Sequence, residues 1–230
     1  MPPSRCNGKS CKKVLDLEGD HVISCTRSGR IRRQAKPLER AWARVFREAG
    51  ARVQENVFLW DMGIAGISAM DGRRVEIVAT GLPLAHGIPI VADATLVSPL
   101  HCNGEPWRDA DTAAAVAIRR GEKDKEVTFP ELLDSGDAQL LALACETGGR
   151  WSESCPRTVH QLAAAKARAA PRHLRELAQQ ALKSRWWAIL SCAQQDALAA
   201  SVLGDGLPLL DGHDAAVPPL VDMELDEGRS

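Results

Sequence analysis

Residues 73–99 constrain the fold more than any other part of the chain, because their pattern is typical of a β-hairpin. Residues 74–78 alternate polar and apolar side chains, which is the period of a half-buried strand. A second and more apolar run covers residues 90–97, and glycines and a proline separate the two runs. The sequence therefore predicts two antiparallel strands joined by a turn.

Each predicted strand carries one acid, Glu76 in the first and Asp93 in the second. If the hairpin is symmetric about positions 84 and 85, these residues lie opposite each other, with Cβ atoms ~4.5–5.5 Å apart. Carboxylates that close repel, and a hard divalent cation between them would remove the repulsion. The alternative is that both are edge-strand charges, or that they pair with the neighbouring Arg73 and Arg74.

Charge is distributed unevenly along the chain, although the net charge is only −1. Residues 1–50 contain twelve Lys and Arg against five Asp and Glu, a balance of +7. Residues 204–230 contain seven acids and one arginine, a balance of −6. A basic N-terminal section favours a polyanionic partner, and the alternative is an ordinary mixed surface.

The sequence argues against a membrane or secreted protein. No apolar run approaches the ~18–20 residues of a membrane-spanning helix, and the N-terminus lacks an apolar signal-peptide core. Seven cysteines is an odd number, which fits reduced thiols better than a set of disulfides. We therefore expect a nuclear or cytoplasmic protein.

Four metal-ligand residue types lie close together in residues 1–25: Cys6, Cys11, His21 and Cys25. Three thiolates and one imidazole can complete the tetrahedral shell of a zinc ion. So short a segment has too few apolar residues to fold by burial, so the metal would stabilise it. The alternative is an unstructured leader with incidental cysteines.

The remaining pattern predicts an α/β fold, with a small mixed sheet flanked by helices on both faces. Pro37 suits the first turn of an amphipathic helix and Gly50 its end. We expect a basic linker over 26–36, a strand over 52–59, loops over 60–72 and 98–111, a helix over 112–126, a strand over 139–145, two helices over 156–203 divided at Pro171, and a disordered acidic tail over 204–230.

Five stretches of the chain add a family resemblance: CKKVLDLEGDHVISC, KPLERAWARVF, VADATLVSPL, FPELL and ETGGRWS. They resemble the C-terminal region of non-LTR retrotransposon reverse-transcriptase proteins, especially the copies found in dinoflagellates. In that family, a zinc knuckle precedes a restriction-enzyme-like endonuclease of the PD-(D/E)XK type. The resemblance covers roughly residues 6–203 and implies a restriction-endonuclease-like domain over 37–155.

The resemblance also implies residue roles. The knuckle residues are Cys6, Cys11, His21 and Cys25, which would bind structural zinc. Glu76 and Asp93 match the two acids that hold catalytic Mg²⁺, and Lys125 is the best match for the catalytic lysine, with Lys123 second. DNA is the expected partner and RNA the second choice, gripped through Arg30, Arg32, Arg33, Lys36, Arg40 and Arg44.

Three hypotheses about function remain open. The first is a Mg²⁺-dependent DNA endonuclease. The second is a nucleic-acid-binding remnant without catalysis, because Glu76 stands where the family has Asp and one methylene displaces a carboxylate by about 1.5 Å. The third is an interaction protein built on the C-terminal helices. Glu39, Glu55, Glu131 and Glu146 are further candidate metal ligands, although surface or capping roles suit each of them.

Overall fold

A computed structural model describes residues 5–6, 11–15, 21, 24–25, 35–101, 103–133 and 135–203. The five helices within these ranges are α1 (Lys36–Ala49), α2 (Val116–Thr128), α3 (Pro130–Leu133), α4 (Ser154–Ala167) and α5 (Arg175–Leu203). The four strands are β1 (Arg52–Phe58), β2 (Arg74–Thr80), β3 (Ile90–Val97) and β4 (Gln139–Glu146). Short 3-10 helices cover Leu59–Met62, Ala85–Gly87 and Arg172–Leu174.

Helix α1 forms where the sequence predicts it. Pro37 lies in its first turn, where the missing amide hydrogen removes no helical hydrogen bond. Gly50 ends the helix in the left-handed conformation, with φ of 110°. Trp42 and Phe46, one turn apart, are fully buried, so the predicted apolar stripe of α1 faces the core.

The predicted hairpin symmetry is confirmed. Strands β2 and β3 are antiparallel, and their paired residues are Ile77 with Ala92, Val78 with Val91 and Ala79 with Ile90. The next position in this register places Glu76 across from Asp93. The period of the apolar residues and the position of the turn were therefore sufficient to align the two acids.

The four strands form one mixed sheet in the order β1-β2-β3-β4. Strand β2 is antiparallel to both β1 and β3, and β4 runs parallel to β3 after the crossover through α2 and α3. One face packs against α1, α4 and α5, and the other against α3, the end of α2 and the 3-10 helix at Leu59–Met62. The predicted α/β class, with helices on both faces of a mixed sheet, is confirmed.

An ion pair joins α1 to α5 across the first face. The Glu48 carboxylate accepts hydrogen bonds of 2.9 Å from both Arg185 Nε and Nη2, and one of 3.0 Å from Trp186 Nε1. These bonds, the Arg185 bond foremost, lower the pKa of Glu48 to about 2. The C-terminal helices therefore belong to the same core as the sheet.

Two predicted elements differ in detail. Helix α2 begins at Val116 instead of residue 112, because Ala115 takes a left-handed conformation with φ of 59° that cannot continue a helix. Along α5, Trp186 and Leu190 are buried and Leu177 is 64% exposed. The linker predicted over 26–36 is shorter, because Lys36 already belongs to α1; residues 26–34 and the tail over 204–230 lie outside the described residues.

Among the described residues, no helix is both long and apolar enough to cross a membrane.

Candidate active site and metal cluster

The structure places Glu76 and Asp93 at the end of the β2–β3 ladder, where both side chains are largely withdrawn from solvent. Asp93 is 3% exposed, and its Oδ1 accepts a 3.1 Å hydrogen bond from the Thr95 hydroxyl. Glu76 Oε2 accepts a 2.7 Å hydrogen bond from the backbone N–H of Ala94. Strand β3 therefore orients both carboxylates, Asp93 through the Thr95 side chain and Glu76 through the Ala94 backbone.

Lys125 approaches the same carboxylates from α2. Its Nζ lies 2.6 Å from Asp93 Oδ1. Gly121, one turn earlier and on the same side of the helix, packs against β3, where an added Cβ would lie 2.8 Å from Val97 Cγ1. Helix α2 can reach the strand only because Gly121 has no side chain, and this close approach brings Lys125 to Asp93.

A third acid, Glu39, joins the site from the first turn of α1. It is 8% exposed and forms an ion pair with Lys36. The sequence offered Glu39 as a candidate metal ligand but favoured a surface or capping role, whereas the structure buries Glu39 and lets it act electrostatically on the Glu76 carboxyl. The spacing could have revealed this, because Glu39 lies three and seven residues before the buried Trp42 and Phe46.

Among the acids of the site, Glu76 has a strongly shifted pKa. Burial first, and then the negative charges of Asp93 and Glu39, raise the pKa of Glu76 to about 8, against opposing effects of Lys125 and the Ala94 N–H. Glu76 therefore retains its proton through neutral pH when no cation is bound. A cation among these acids would favour loss of that proton.

Two carboxylate oxygens of the site remain available to a ligand. Within the described ranges, Asp93 Oδ2 and Glu76 Oε1 accept no hydrogen bond, while their partner oxygens are occupied. Carboxylate oxygens are the ligands that hard divalent cations prefer, so Glu76 and Asp93 could hold such an ion.

Replacing Glu76 by glutamine should change how stability depends on pH. Between about 4.5 and 8 the folded protein holds a proton that the unfolded chain has lost, so stability falls as pH rises through this window. Without added metal, Glu76→Gln should be more stable than wild type by about 2–5 kcal/mol at pH 9 and nearly equal to it at pH 4.5. Urea unfolding at both pH values measures this, with the exposed Glu176→Gln as the control. A difference that does not vary with pH would contradict the raised pKa.

Arg73 and Arg74, which the sequence offered as ion-pair partners for Glu76 and Asp93, contact other residues. The Arg73 guanidinium contacts Asp71 and Glu131 at 2.6 Å, and Arg74 lies over the ring of Phe58. Neither forms an ion pair with Glu76 within the described residues.

Most other sequence candidates lie outside this site. Lys123, the second choice for the lysine, is exposed on α2. Glu55, Glu131 and Glu146 form ion pairs with Arg47, Arg73 and Arg150 respectively.

The structure describes only three of the six basic residues that were predicted to bind nucleic acid. Lys36 and Arg44 lie on α1, where they form ion pairs with Glu39 and Glu48. Arg40 is exposed on the same helix. The other three residues assigned to the grip lie outside the described residues: Arg30, Arg32 and Arg33.

The four N-terminal ligand candidates form a second cluster. The ligand atoms of Cys6, Cys11, His21 and Cys25 all lie within 4.8 Å of one another, close enough to bind one metal ion. Cys25 Sγ is 3.8 Å from the sulfurs of both Cys6 and Cys11, and Cys11 Sγ is 3.3 Å from His21 Nε2. A hydrogen bond from the Lys13 backbone, with smaller effects of the other cluster members, lowers the pKa of Cys11 to about 7, which favours the thiolate that binds metals.

Compared with models of known protein families and with curated proteins, the chain matches none. The geometry of the two clusters is therefore the basis for assigning a function.

Proposed function

We propose that this protein is a Mg²⁺-dependent DNA endonuclease with an N-terminal zinc-binding segment. The observation that carries the proposal is the convergence of Glu76, Asp93 and Lys125 from three different elements at one end of the sheet, with Glu39 close enough to raise the pKa of Glu76. Buried acids beside a lysine are costly to maintain, so a function is the better explanation for their convergence.

The fold agrees with the resemblance in the features that position a site. The resemblance implies a small mixed sheet flanked by helices, with two acids on a hairpin and a lysine on the following helix. The structure has a mixed four-stranded sheet, the acids Glu76 and Asp93 on β2 and β3, and Lys125 on α2. This agreement supports a restriction-endonuclease-like domain, which remains part of the proposal.

The residues divide the chemistry of phosphodiester hydrolysis among them. Asp93 and Glu76 would hold Mg²⁺ through the oxygens that accept no hydrogen bond, with Glu39 as a third carboxylate nearby. When bound, Mg²⁺ lowers the pKa of a bound water and polarises the scissile phosphate. Lys125 is placed to donate hydrogen bonds to a phosphate oxygen as negative charge develops on it. Water forms a new P–O bond, and the bond to the leaving nucleotide breaks.

The N-terminal cluster fits zinc better than other metals. A tetrahedral zinc ion with bonds of ~2.3 Å to sulfur holds those sulfurs ~3.8 Å apart. Two of the sulfur pairs have this separation at 3.8 Å. Two further contacts stabilise the segment. The Cys6 N–H donates a 2.8 Å hydrogen bond to Lys13 O, and the Cys11 sulfur contacts His21. We assign the cluster a structural role, because four protein ligands leave no coordination position for a substrate.

One observation favours a second candidate, a nucleic-acid-binding protein without catalysis. Glu76 replaces the usual Asp, and its pKa of about 8 means that Mg²⁺ must displace a proton at neutral pH. A metal site weakened in this way could bind nucleic acid without cleaving it.

Nicking of supercoiled plasmid tests the first candidate. Wild type should nick in Mg²⁺ or Mn²⁺ and not in Ca²⁺ or chelator. Lys125→Met should lower the rate about 100-fold or more, because one preorganised charge is worth that much in transition-state stabilisation. Lys123→Met is the matched control, since it removes the same charge from an exposed position two residues away.

The outcomes separate the candidates. Metal-dependent nicking that falls in Lys125→Met and persists in Lys123→Met supports the endonuclease. Salt-sensitive DNA binding without nicking under any condition favours the second candidate. Equal effects of the two lysine variants would mean that Lys125 has no catalytic role.

A further inference from the structure

An aromatic pair lies at the end of β1, outside the carboxylate site. The rings of Phe58 and Trp60 stack with centroids 5.6 Å apart and planes inclined at 27°. The guanidinium carbon of Arg74 lies 3.8 Å from the centre of the Phe58 ring. All six tryptophans lie within the described residues, and Trp60 is the most exposed of them, with 42% of its surface accessible to solvent. The pair therefore offers solvent a flat aromatic surface beside a cation.

This surface is fixed to the rest of the fold. Leu59, which lies between Phe58 and Trp60 in the sequence, is fully buried, and its N–H donates a 3.0 Å hydrogen bond to Arg73 O. Arg73 Nη1 in turn donates a 2.6 Å hydrogen bond to the carbonyl of Thr128, the last residue of α2. Because α2 also carries Lys125, the aromatic surface and the catalytic lysine candidate are joined through Arg73.

The aromatic surface also lies near the acids along β2. Arg74 pairs directly with Phe58 in the β1–β2 register, and it precedes Glu76 by two residues. Two residues of a strand span ~6.6–6.8 Å, so the backbone of Arg74 lies within that distance of the backbone of Glu76. A strand of nucleic acid with a phosphate at Glu76 and Asp93 would therefore come within reach of Arg74 and the ring it covers.

We propose that Trp60, Phe58 and Arg74 form a stacking site for an unpaired nucleobase of the DNA strand that enters the carboxylate site. The identity of the ligand as DNA rests on the proposed function. Aromatic faces stack on any base, and arginine adds a cation for the neighbouring phosphate. Arg74 is exposed and contacts the Phe58 ring, so its cation lies at the edge of the aromatic surface. Bases within a duplex present only their edges, so the ligand is single-stranded or locally unpaired.

Binding of labelled oligonucleotides by the full chain tests this site without requiring cleavage. The probes are a 12-nucleotide single strand, the same strand without bases, and the corresponding duplex, in buffer without Mg²⁺. Trp60→Ala should weaken single-strand binding about 5- to 150-fold, the equivalent of one base stack, and duplex binding less than twofold. Trp60→Phe should restore most of the affinity. Met70→Ala, which truncates a 92% exposed side chain nearby in sequence, is the matched control and should bind as wild type does.

Wild type should lose its advantage over Trp60→Ala when the strand lacks bases. Equal losses on single strand and duplex would overturn the stacking site, as would unchanged binding by Trp60→Ala or a Trp60→Phe variant as weak as alanine. A protein that binds unpaired bases through Trp60 and never nicks plasmid would retain the stacking site and disprove the endonuclease. Plasmid nicking together with oligonucleotide binding that Trp60→Ala does not change would support the endonuclease and disprove the stacking site.

Discussion

Replacing Asp93 by asparagine should reduce plasmid nicking about 1,000-fold or more, equivalent to roughly 4 kcal/mol of transition-state stabilisation. Asparagine has nearly the same shape as aspartate and can accept the Thr95 hydrogen bond. It carries no charge, so it binds Mg²⁺ weakly and leaves Lys125 without its partner at 2.6 Å. The loss should therefore arise from charge and not from packing.

The measurement compares nicking rates across a range of Mg²⁺ concentrations, because a weakened metal site should also require more Mg²⁺. Asp196→Asn makes the same change on the exposed surface of α5 and should leave the rate unchanged. Removing one member of a buried ion pair can also unfold a protein, so thermal unfolding must show that the variant remains folded. Nicking by a folded Asp93→Asn protein at the wild-type rate would place the active centre elsewhere.

Replacing Cys25 by serine should release the metal of the N-terminal cluster and unfold the segment that contains it. Cys25 is 1% exposed and its sulfur lies 3.8 Å from two other cluster sulfurs, so it has a central position among the ligands. Metal binding supplies about 10–16 kcal/mol in comparable small zinc segments, more than their own burial provides. Zinc content should fall from one ion per chain to well below one half.

Zinc released by a thiol reagent and detected with a chromogenic chelator gives the stoichiometry. Trypsin provides a second readout, because Lys12 and Lys13 should become cleavable when the segment unfolds. Cys192→Ser is the matched control, since Cys192 is an exposed free cysteine on α5. A wild-type chain without zinc, or a Cys25→Ser chain with full zinc content, would contradict the assignment.

The parts of the fold that the sequence predicted depend on local patterns. Alternation over residues 74–78 and the turn residues after them fixed the hairpin register, because a shift by one residue would have turned Ile77 and Val78 to the wrong faces. Pro37 and Gly50 marked the ends of α1 for equally local reasons. The close spacing of the cysteines and His21 also sufficed to predict a cluster.

The missed features depend on contacts between distant segments. Glu39 looks like an ordinary first-turn acid until α1 packs beside β2 and β3, where it comes near Glu76. Trp60 falls in a stretch predicted only as a loop, and its stack with Phe58 depends on the 3-10 helix at Leu59–Met62. Helix α2 carries a run of charged residues, yet Gly121 is buried in the middle of that run, and the strand that covers it is distant in sequence.

The contact between Gly121 and Val97 means that the proposed activity could be lost without changing any residue of the site. A single methyl group at position 121 would meet Val97 Cγ1 at 2.8 Å, and overpacking of this kind costs about 1–3 kcal/mol. The helix would relieve the clash by moving away from β3, and Lys125 would move with it. In related chains, an intact set of acids and lysine is therefore insufficient evidence of a working enzyme, and the residue four positions before the lysine should be inspected first.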